Sequence, residues 1–309
     1  MNWIKKISCI LLVIPLLFSC SVQDDRELCC DGNTLRFRYL YRESDKFNTY
    51  IDKVSYYLFD AKGKYLKELP PKVGSKNKVD ISELEYGKYT MIAVGNSYGS
   101  GVLEGYLSGG LEGFLFRLSN FRADIPSTLK NTDRLYWGEK SFEVKPRSPN
   151  SYIGEMSNIH CVLRVRVEWE GTPKYSTGYG LSLSGVGKYN EFTGEHGYDI
   201  GVHRFPLVKE YKGRILEDVS LRQFSLNATL ISLRWTDDNM PNLNICHDGI
   251  PVSKTVRLGE IFPKWGWYPS RDEVQEYEIR LLVHLNGTIE VSQGLGVGVS
   301  DWIDGGSFS

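Results

Sequence analysis

The sequence feature that most constrains the fold is an alternation of apolar and polar residues with a period of two. Aromatic and β-branched residues that alternate between clusters of Gly, Pro, Asn and Asp predict β-strands. No segment keeps an apolar stripe of helical period for three turns, and only 101–118 is compatible with a short helix. We therefore expect an all-β fold, built as sandwiches rather than as a parallel sheet. The alternating segments are 34–41, 54–58, 87–96, 161–169, 226–235, 277–285 and 287–291.

The strongest local signal is the dipeptide Asn286-Gly287, which separates two alternating segments near the C-terminus. Asn and Gly readily adopt the positive φ angles that a type I′ turn requires. We predict a β-hairpin with this turn at its tip.

The chain has one composition break inside its strand pattern. Two prolines and several polar residues interrupt the alternation at 145–151. A length of about 290 residues after removal of a leader corresponds to one large or two ordinary domains. We predict an N-terminal β-sandwich over 33–150 and a C-terminal one over 151–309, each long enough to bury a core.

The first residues have the pattern of an export signal. Lys5 and Lys6 precede an apolar run over 7–18. This run is too short to span a bilayer core of roughly 30 Å as a permanent helix. A basic start, a short apolar run and a small residue before a cleavage point are typical of a signal peptide. We predict a signal peptide over 1–19.

The leader ends in Leu17-Phe18-Ser19-Cys20, which resembles a lipobox. In such a motif the thiol of the final Cys is acylated and the chain is cut just before it. We therefore predict lipidation at Cys20 and a tether over 20–32. The residues that follow, Ser21 to Asp25, are polar and acidic and resemble a surface-export signal, although a plain soluble linker would have the same composition.

Charge and cysteine content exclude some functions. Without the leader the chain has 35 basic and 38 acidic residues, a net charge of −3, and no basic run that suits nucleic acid. The remaining cysteines are Cys29, Cys30, Cys161 and Cys246. They permit a disulfide in an oxidising envelope, but the pairing is open. Their spacing fits no zinc template, and we predict no metal and no cofactor.

An ordered set of motifs resembles one known family. After the lipobox and the acidic segment with Cys29, the motifs are 35–39, 54–64, 84–96, 135–138 and 156–165. This succession resembles the FimB-type minor fimbrial subunits, the lipoprotein anchors of the type V pili of Bacteroides-like bacteria. The resemblance covers the whole mature chain and implies two transthyretin-like β-sandwich domains. Cys30 beside Cys29 departs from the pattern, in which a single Cys is expected.

The resemblance implies a structural role, that of an anchor for a polymer. An anchor of this kind would sit in the outer membrane through the lipid on Cys20 and bind fimbrial shaft subunits as partners. Such subunits polymerise by strand exchange, in which a groove left by a lost N-terminal strand accepts a strand of a neighbour. An anchor that keeps its lipid cannot shed that strand, so assembly would end at it.

The C-terminal segment has one apolar and one slim face, as a donated strand requires. Small residues occupy the alternate positions 292, 294, 296, 298 and 300. Another explanation is that the segment is the last strand of the second domain. We take as candidate subunit contacts the residues Val291, Leu295, Val297, Val299 and Trp302.

Two further clusters suggest chemistry. Cys246-His247-Asp248 has the composition of a thiol nucleophile with its base, but neighbours on a strand point to opposite faces. Asp237-Asp238-Asn239 is typical of a turn and has too few oxygen ligands for calcium. We predict no catalytic residue and no enzyme activity.

The alternative function is glycan binding by a surface lipoprotein. The best platform for stacking on sugar rings is the aromatic segment over 265–269, with Trp265, Trp267 and Tyr268. The competing explanation is that these rings fill the core, where most large aromatic side chains lie.

Overall fold

The computed structural model describes residues 33–119, 128–146, 149–192, 198–200, 203–222 and 224–294. Strands dominate these residues, which confirms the all-β fold, while the transthyretin-like arrangement stays a prediction. The described strands are β1 Thr34–Arg38, β2 Leu40–Tyr41, β3 Ser44–Asp45, β4 Val54–Asp60, β5 Tyr65–Leu69, β6 Lys78–Asp80, β7 Gly87–Gly95, β8 Gly101–Glu104, β9 Leu115–Leu118, β10 Tyr136–Val144, β11 Ser151–Asn158, β12 His160–Trp169, β13 Tyr179–Val186, β14 Tyr189–Glu191, β15 Tyr198–Ile200, β16 His203–Phe205, β17 Leu207–Lys209, β18 Gly213–Asp218, β19 Ser225–Leu233, β20 Asn242–His247, β21 Ile250–Pro251, β22 Val256–Arg257, β23 Gln275–Val283 and β24 Ile289–Gln293. The helical pieces are α1 Phe47–Tyr50, α2 Tyr106–Gly109, α3 Leu258–Ile261 and a 3₁₀ turn, Phe262–Trp265.

The first large sheet, called here the N-terminal sheet, has seven strands in the order β5-β4-β7-β10-β11-β1-β6. Strand β1 is parallel to β11 on one side and antiparallel to β6 on the other. The side chains of Leu35 and Phe37 are fully buried in the core on one face of this sheet. The first described strand is therefore an interior strand, held by neighbours on both sides.

Close packing fixes the position of β1. A Cβ atom placed on Gly154 of β11 would lie 2.5 Å from Cε1 of Phe37, and one on Gly138 of β10 would lie 3.2 Å from Cδ1 of the same ring. The two glycines therefore leave room for the ring of Phe37 directly on the sheet backbone. The ring of Tyr56 lies 5.5 Å away, centroid to centroid.

A small four-stranded sheet, β17-β14-β9-β8, joins the two halves of the chain. Its central pair is β9 with β14, although 70 or so residues separate them in sequence. Phe192 follows β14 and stacks against Phe114 and Trp137 at centroid distances of 5.0 and 6.0 Å. Strand pairing thus crosses the predicted division at residue 150, and β11, which follows that residue, lies in the N-terminal sheet.

The second large unit, called here the C-terminal sandwich, consists of two sheets with a shared core. One sheet has the order β19-β12-β23-β24, and the other has the order β18-β13-β20, with β21 and β22 both paired to β20. Alternate residues of β12, such as Leu163 and Val165, point into this core, as the period of two predicts. Leu181 and Leu183 of β13 pack on them from the facing sheet.

A buried histidine marks the junction between the N-terminal sheet and the C-terminal sandwich. His160 is 1% exposed, and its Nδ1 donates a hydrogen bond of 2.9 Å to the carbonyl oxygen of Leu135. Its ring meets Tyr136 edge to face at 5.4 Å. Burial away from water lowers the pKa of His160 to about 4, because the charged form loses its hydration there.

The predicted hairpin between β23 and β24 is confirmed, but its predicted turn type is wrong. His284 and Gly287 close the turn through a hydrogen bond of 2.9 Å from Gly287 N to His284 O. Gly287 has φ +78°, whereas Asn286 is not among the described residues with positive φ. A type I′ turn needs positive φ at both central residues, so the tip is instead a longer loop with one left-handed Gly. Asn286 accepts a hydrogen bond from Thr288 N at 2.9 Å.

Candidate docking surface at the end of the C-terminal sandwich

One edge of the sheet β19-β12-β23-β24 is covered by the chain itself. Thr132 N donates to Ile231 O at 3.0 Å, and Ile231 N donates to Oδ1 of Asn131 at 2.8 Å. Nearby, Leu129 N donates to Arg214 O of β18 at 2.7 Å. The segment 128–132 therefore satisfies edge groups of both sheets on this side of the sandwich. We call it the edge cover.

The opposite edge of the same sheet is β24, and no other described strand pairs with it. Gly294 N donates to Glu278 O, and His284 N donates to Thr288 O, each at 2.9 Å. Because hydrogen-bonded pairs alternate along an antiparallel ladder, the even-numbered residues of β24 bond to β23. The backbone N–H and C=O groups of Ile289, Val291 and Gln293 therefore point away from the sheet. Such an edge is a template for another strand.

A cleft of 620 Å³ opens beside the tip of this hairpin. It lies between the end of β12 with the loop after it, the segment of β20 and the residues that follow β21, and the β23–β24 loop. We call it the end cleft. Its volume lies in the range of known ligand sites. Its lining consists of Trp169, Gly171, Thr172, Pro173, Lys174, Tyr175, Tyr179, Ile245, Val252, Ser253, Val283, His284, Leu285 and Gly287.

Aromatic rings form the rigid wall of the end cleft. Tyr175 stacks on His247 with the ring centroids 3.6 Å apart and the planes within 16°. Trp169 packs on Tyr179 at 5.1 Å. The hydroxyl of Tyr179 accepts a hydrogen bond from Tyr175 N at 3.3 Å. The loop that carries Tyr175 is thus fixed on the sandwich by ring contacts and one hydrogen bond.

Exposed apolar side chains surround this end of the sandwich. Leu285 is 83% exposed at the hairpin tip, and Ile250 of β21 and Val252 just after it are 68% and 45% exposed. Phe224 is also exposed, and its carbonyl accepts a hydrogen bond from Trp169 N at 3.0 Å. Large groups of exposed apolar side chains are typical of interaction sites.

Two carboxylates share one imidazole at the same corner. His284 Nδ1 lies 2.7 Å from Oε1 of Glu170, and its Nε2 lies 3.5 Å from Oε2 of Glu290. The hydrogen bond to Glu170 raises the pKa of His284, and the same bond lowers the pKa of Glu170. The other oxygen of Glu170 accepts from Leu285 N at 3.1 Å, which fixes the hairpin tip to the end of β12.

Of the residues predicted from sequence for subunit contact, Val291 lies in β24. Its side chain is half-buried and packs on the core of the C-terminal sandwich. Residues 289–293 are therefore a resident strand, as the alternative explanation of this segment expected. Leu295, Val297, Val299 and Trp302 lie outside the described residues, as do Cys20 and the pair Cys29 and Cys30.

The other sequence candidates have structural roles. Trp265 and Trp267 are half-buried and pack on each other at 5.1 Å, and Trp267 also packs against Phe262 and Tyr277 of the core. Tyr268 is exposed, and the guanidinium of Arg271 lies over its ring at 5.0 Å. Cys246 is buried, and burial raises the pKa of its thiol. The ring of His247 stacks on that of Tyr175. Cys161 and Cys246 are free thiols.

Among the described residues, no group of three or more His, Cys, Asp or Glu side chains could hold a metal ion. The described part of the chain also contains no helix whose length and apolar content would let it cross a membrane.

The open edge and the end cleft were not predicted from the sequence. Leu285 gave one usable signal, because an apolar residue directly before Asn-Gly stands at a hairpin tip, where polar residues are usual. Trp169, Tyr175 and Tyr179 gave none, since their alternation with polar neighbours is that of ordinary strand residues. Only the pairing of distant strands brings these rings beside Leu285.

Comparison with known proteins identifies a family. The family model of the fimbrillin-A associated anchor proteins Mfa1 and Mfa2 matches residues 26–303. Among curated proteins, none matches the chain.

Solved structures share the fold at low sequence identity. A proposed adhesin from Bacteroides ovatus has a TM-score of 0.62 and 16% identity, with 85% of this chain and 94% of the other covered. The fimbrial anchor protein Mfa2 from Porphyromonas gingivalis has a TM-score of 0.59 and 13% identity, with 85% and 97% covered. Proposed polysaccharide-binding proteins from Bacteroides thetaiotaomicron have a TM-score of 0.60 and 15% identity, with 84% and 95% covered. At these identities the likeness shows the fold alone.

Proposed function

The chain belongs to the family of fimbrillin-A associated anchor proteins Mfa1 and Mfa2, and on that premise we propose that it fixes a fimbrial shaft to the outer membrane and ends its assembly. The family is one of structural anchors, so the chain is a fimbrium-associated surface protein and not an enzyme. The lipid on Cys20, the outer-membrane location and the end of assembly are the proposed parts.

The interior position of β1 is the observation that carries this proposal. Thr34, where β1 begins, follows Cys20 by only 14 residues. A lipid on Cys20 would therefore hold the segment that leads directly into a strand bonded to β11 and β6. A subunit that keeps this strand opens no groove that could accept a strand of a neighbour. Polymerisation would therefore stop once the anchor has joined the shaft.

Replacing the acylated residue tests the attachment. A Cys20→Ala variant lacks the thiol that carries the lipid, so we expect loss of membrane association and release of fimbriae into the medium. Fractionation of cells and immunoblotting of the medium measure both. Cys29→Ala is the matched control, since it removes a nearby thiol and leaves Cys20 in place. The proposal fails if a strain without the protein has fimbriae that are neither shed nor changed in length.

Donation of the C-terminal strand is a second part of the proposed mechanism. The pairing of β24 with β23 argues against donation of 289–293, because Val291 would have to leave a half-buried site. Leu295, Val297, Val299 and Trp302 remain the candidates for donation. If these residues are donated, a chain that ends at Gly294 should no longer capture shaft subunits in a pulldown. Undiminished capture would exclude donation.

Glycan binding is the competing function, and one set of similar structures is of proposed polysaccharide-binding proteins. Sugar sites combine aromatic stacking with polar groups that fix the hydroxyls. The end cleft has aromatic walls, but its lining includes no Asp, Glu, Asn or Gln side chain. Calorimetry of the full chain with host and bacterial polysaccharides tests this function, and saturable binding that Trp169→Ala abolishes would establish it.

A further inference from the structure

We propose that the open edge of β24 and the end cleft together form the docking surface for an extended segment of a shaft subunit. This inference rests on the proposed anchor function and names the surface that would perform it. The segment would add a strand beside β24 and place an apolar side chain in the end cleft. It would present a basic residue to the corner formed by Glu170 and Glu290.

The backbone of β24 supplies the first part of the argument. Ile289, Val291 and Gln293 each direct an N–H and a C=O away from β23, at spacings that suit a partner strand. Two features that normally prevent pairing do not occur in this edge, since β24 contains no Pro and no Lys, and its register with β23 is regular. At the opposite edge of the sheet, the edge cover already satisfies such groups.

The end cleft supplies the second part, because it begins where β24 begins. The loop 284–288 forms one wall of the cleft and leads directly into Ile289. A strand that pairs along β24 and continues past Ile289 therefore arrives at Leu285 and the aromatic wall. Main-chain pairing with pockets for selected side chains is a common way to bind an extended peptide.

The side chains around the cleft decide between kinds of occupant. The exposed leucine, valine and isoleucine at the rim make no hydrogen bonds, so they favour an apolar side chain of a protein over a sugar. At the corner, Glu170 and Glu290 share the single imidazole of His284, whose charge offsets only one of the two carboxylates. A basic residue in the incoming segment would balance the charge of the other.

Two variants of the full chain test the surface by removing its two contacts separately. Leu285→Glu places a charge at the mouth of the cleft, and Val291→Pro removes an outward N–H without removing a bond to β23. The probe is the monomeric shaft subunit of the same fimbria, with binding measured by surface plasmon resonance. We expect each variant to bind at least about tenfold more weakly.

Matched controls separate docking from folding. Leu107→Glu changes an apolar residue that is 76% exposed in the N-terminal half, and Val291→Ala removes side-chain packing while it keeps the N–H. Both controls should bind within about twofold of the unchanged chain. Thermal unfolding of every variant verifies the fold, and Leu285→Glu should leave the melting temperature unaltered because that side chain is exposed.

The outcomes distinguish this inference from the anchor function. If the unchanged chain binds the shaft subunit and Leu285→Glu and Val291→Pro bind equally well, the docking surface is wrong and the anchor function stands. If the unchanged chain binds no shaft subunit at all, both fail. Self-association that Leu285→Glu abolishes would assign the surface to a second copy. Slower amide exchange of Val291 in the full chain than in a chain ending at Gly294 would assign the edge to residues 295–309. Either result overturns a shaft segment as the occupant.

Discussion

The first and last described strands have the same secondary structure but different surroundings. Strand β1 lies between β11 and β6, with Leu35 and Phe37 fully buried. Among the described strands, β24 pairs with β23 alone, and its side chains are half-buried or exposed. A strand with two neighbours and a buried face is costly to remove, whereas a strand with one neighbour remains able to pair again.

Under the proposed function, the first and last described strands would have separate tasks. Retention of β1 suits a subunit that must not open a groove at its membrane end. Availability of β24 suits a subunit that must still contact a partner. The predictions below alter one end at a time, so that each effect can be compared with its counterpart at the other end.

The largest effect is expected from truncation of the β1 core side chain. Phe37→Ala should lower the free energy of unfolding by about 3–5 kcal/mol, because it empties a fully buried site against the glycines of β10 and β11. Its counterpart at the other end, Val291→Ala, should cost about 1 kcal/mol because the side chain is only half-buried. Denaturant unfolding measures both. Equal costs would contradict the contrast between the two ends.

Acid should affect the two ends in opposite directions. His160 is neutral in the fold with a pKa lowered from 6.5 to about 4, so its contribution is present above pH 6.5 and is lost as the pH falls to 4. Between pH 6.5 and pH 4, the free energy of unfolding should therefore fall by about 3 kcal/mol. His160→Gln can still donate to Leu135 O and should remove most of this acid dependence. Unfolding curves between pH 7 and pH 4 test it, and an unaltered pH profile would count against it.

An added methyl group should also distinguish the two ends. Gly154→Ala places a Cβ 2.5 Å from the ring of Phe37, so we expect a loss of about 1–3 kcal/mol from overpacking. Gly294→Ala, just after β24, meets the side chain of Glu278, which can move aside, and should cost under about 0.5 kcal/mol. Thermal unfolding compares the pair. A larger loss for Gly294→Ala would show that the end of β24 is as tightly packed as β1.

The smallest effect concerns the hairpin that leads into β24. The raised pKa of His284 means that its bond to Glu170 contributes below pH 6.5 and is lost as the pH rises through the raised value. We expect faster amide exchange at Leu285 at pH 8 than at pH 6, after correction for intrinsic rates. Glu170→Gln should return the pKa of His284 towards its ordinary value, as followed by NMR titration. An unchanged titration would show that Glu170 does not hold the imidazole.

Local pattern predicted much of the secondary structure. Alternation identified most of β12, β19 and β23, and Asn286-Gly287 located the last hairpin, because these signals depend on neighbouring residues. The turn type was wrong because the strands separate earlier than a two-residue turn requires: that turn would make Leu285 and Thr288 the last pair, whereas Val283 and Ile289 are the last pair and leave a five-residue loop. Loop length, set by the register of the strands, selected the turn.

The pairing of strands that are distant in sequence could not be predicted from local patterns. Nothing local indicates that β1 lies parallel to β11 or that β9 pairs with β14, because each depends on contacts between segments far apart in the chain. The pairing of β11 with β10 and β1 carries the N-terminal sheet past residue 150 to Asn158, while the division into two domains at residue 150 stays a prediction. The end cleft depends on the same long-range order and was missed for the same reason.

The edge cover has a consequence for stoichiometry. A sheet with two open edges could accept a strand on each side and so could link two shafts or continue a chain of subunits. With Asn131 and Thr132 bonded to Ile231 of β19, β24 is the open edge of its sheet among the described residues. If β24 docks a shaft as proposed, that sheet would hold a single shaft, and the number of fimbriae on a cell would be limited by the number of anchors it exports.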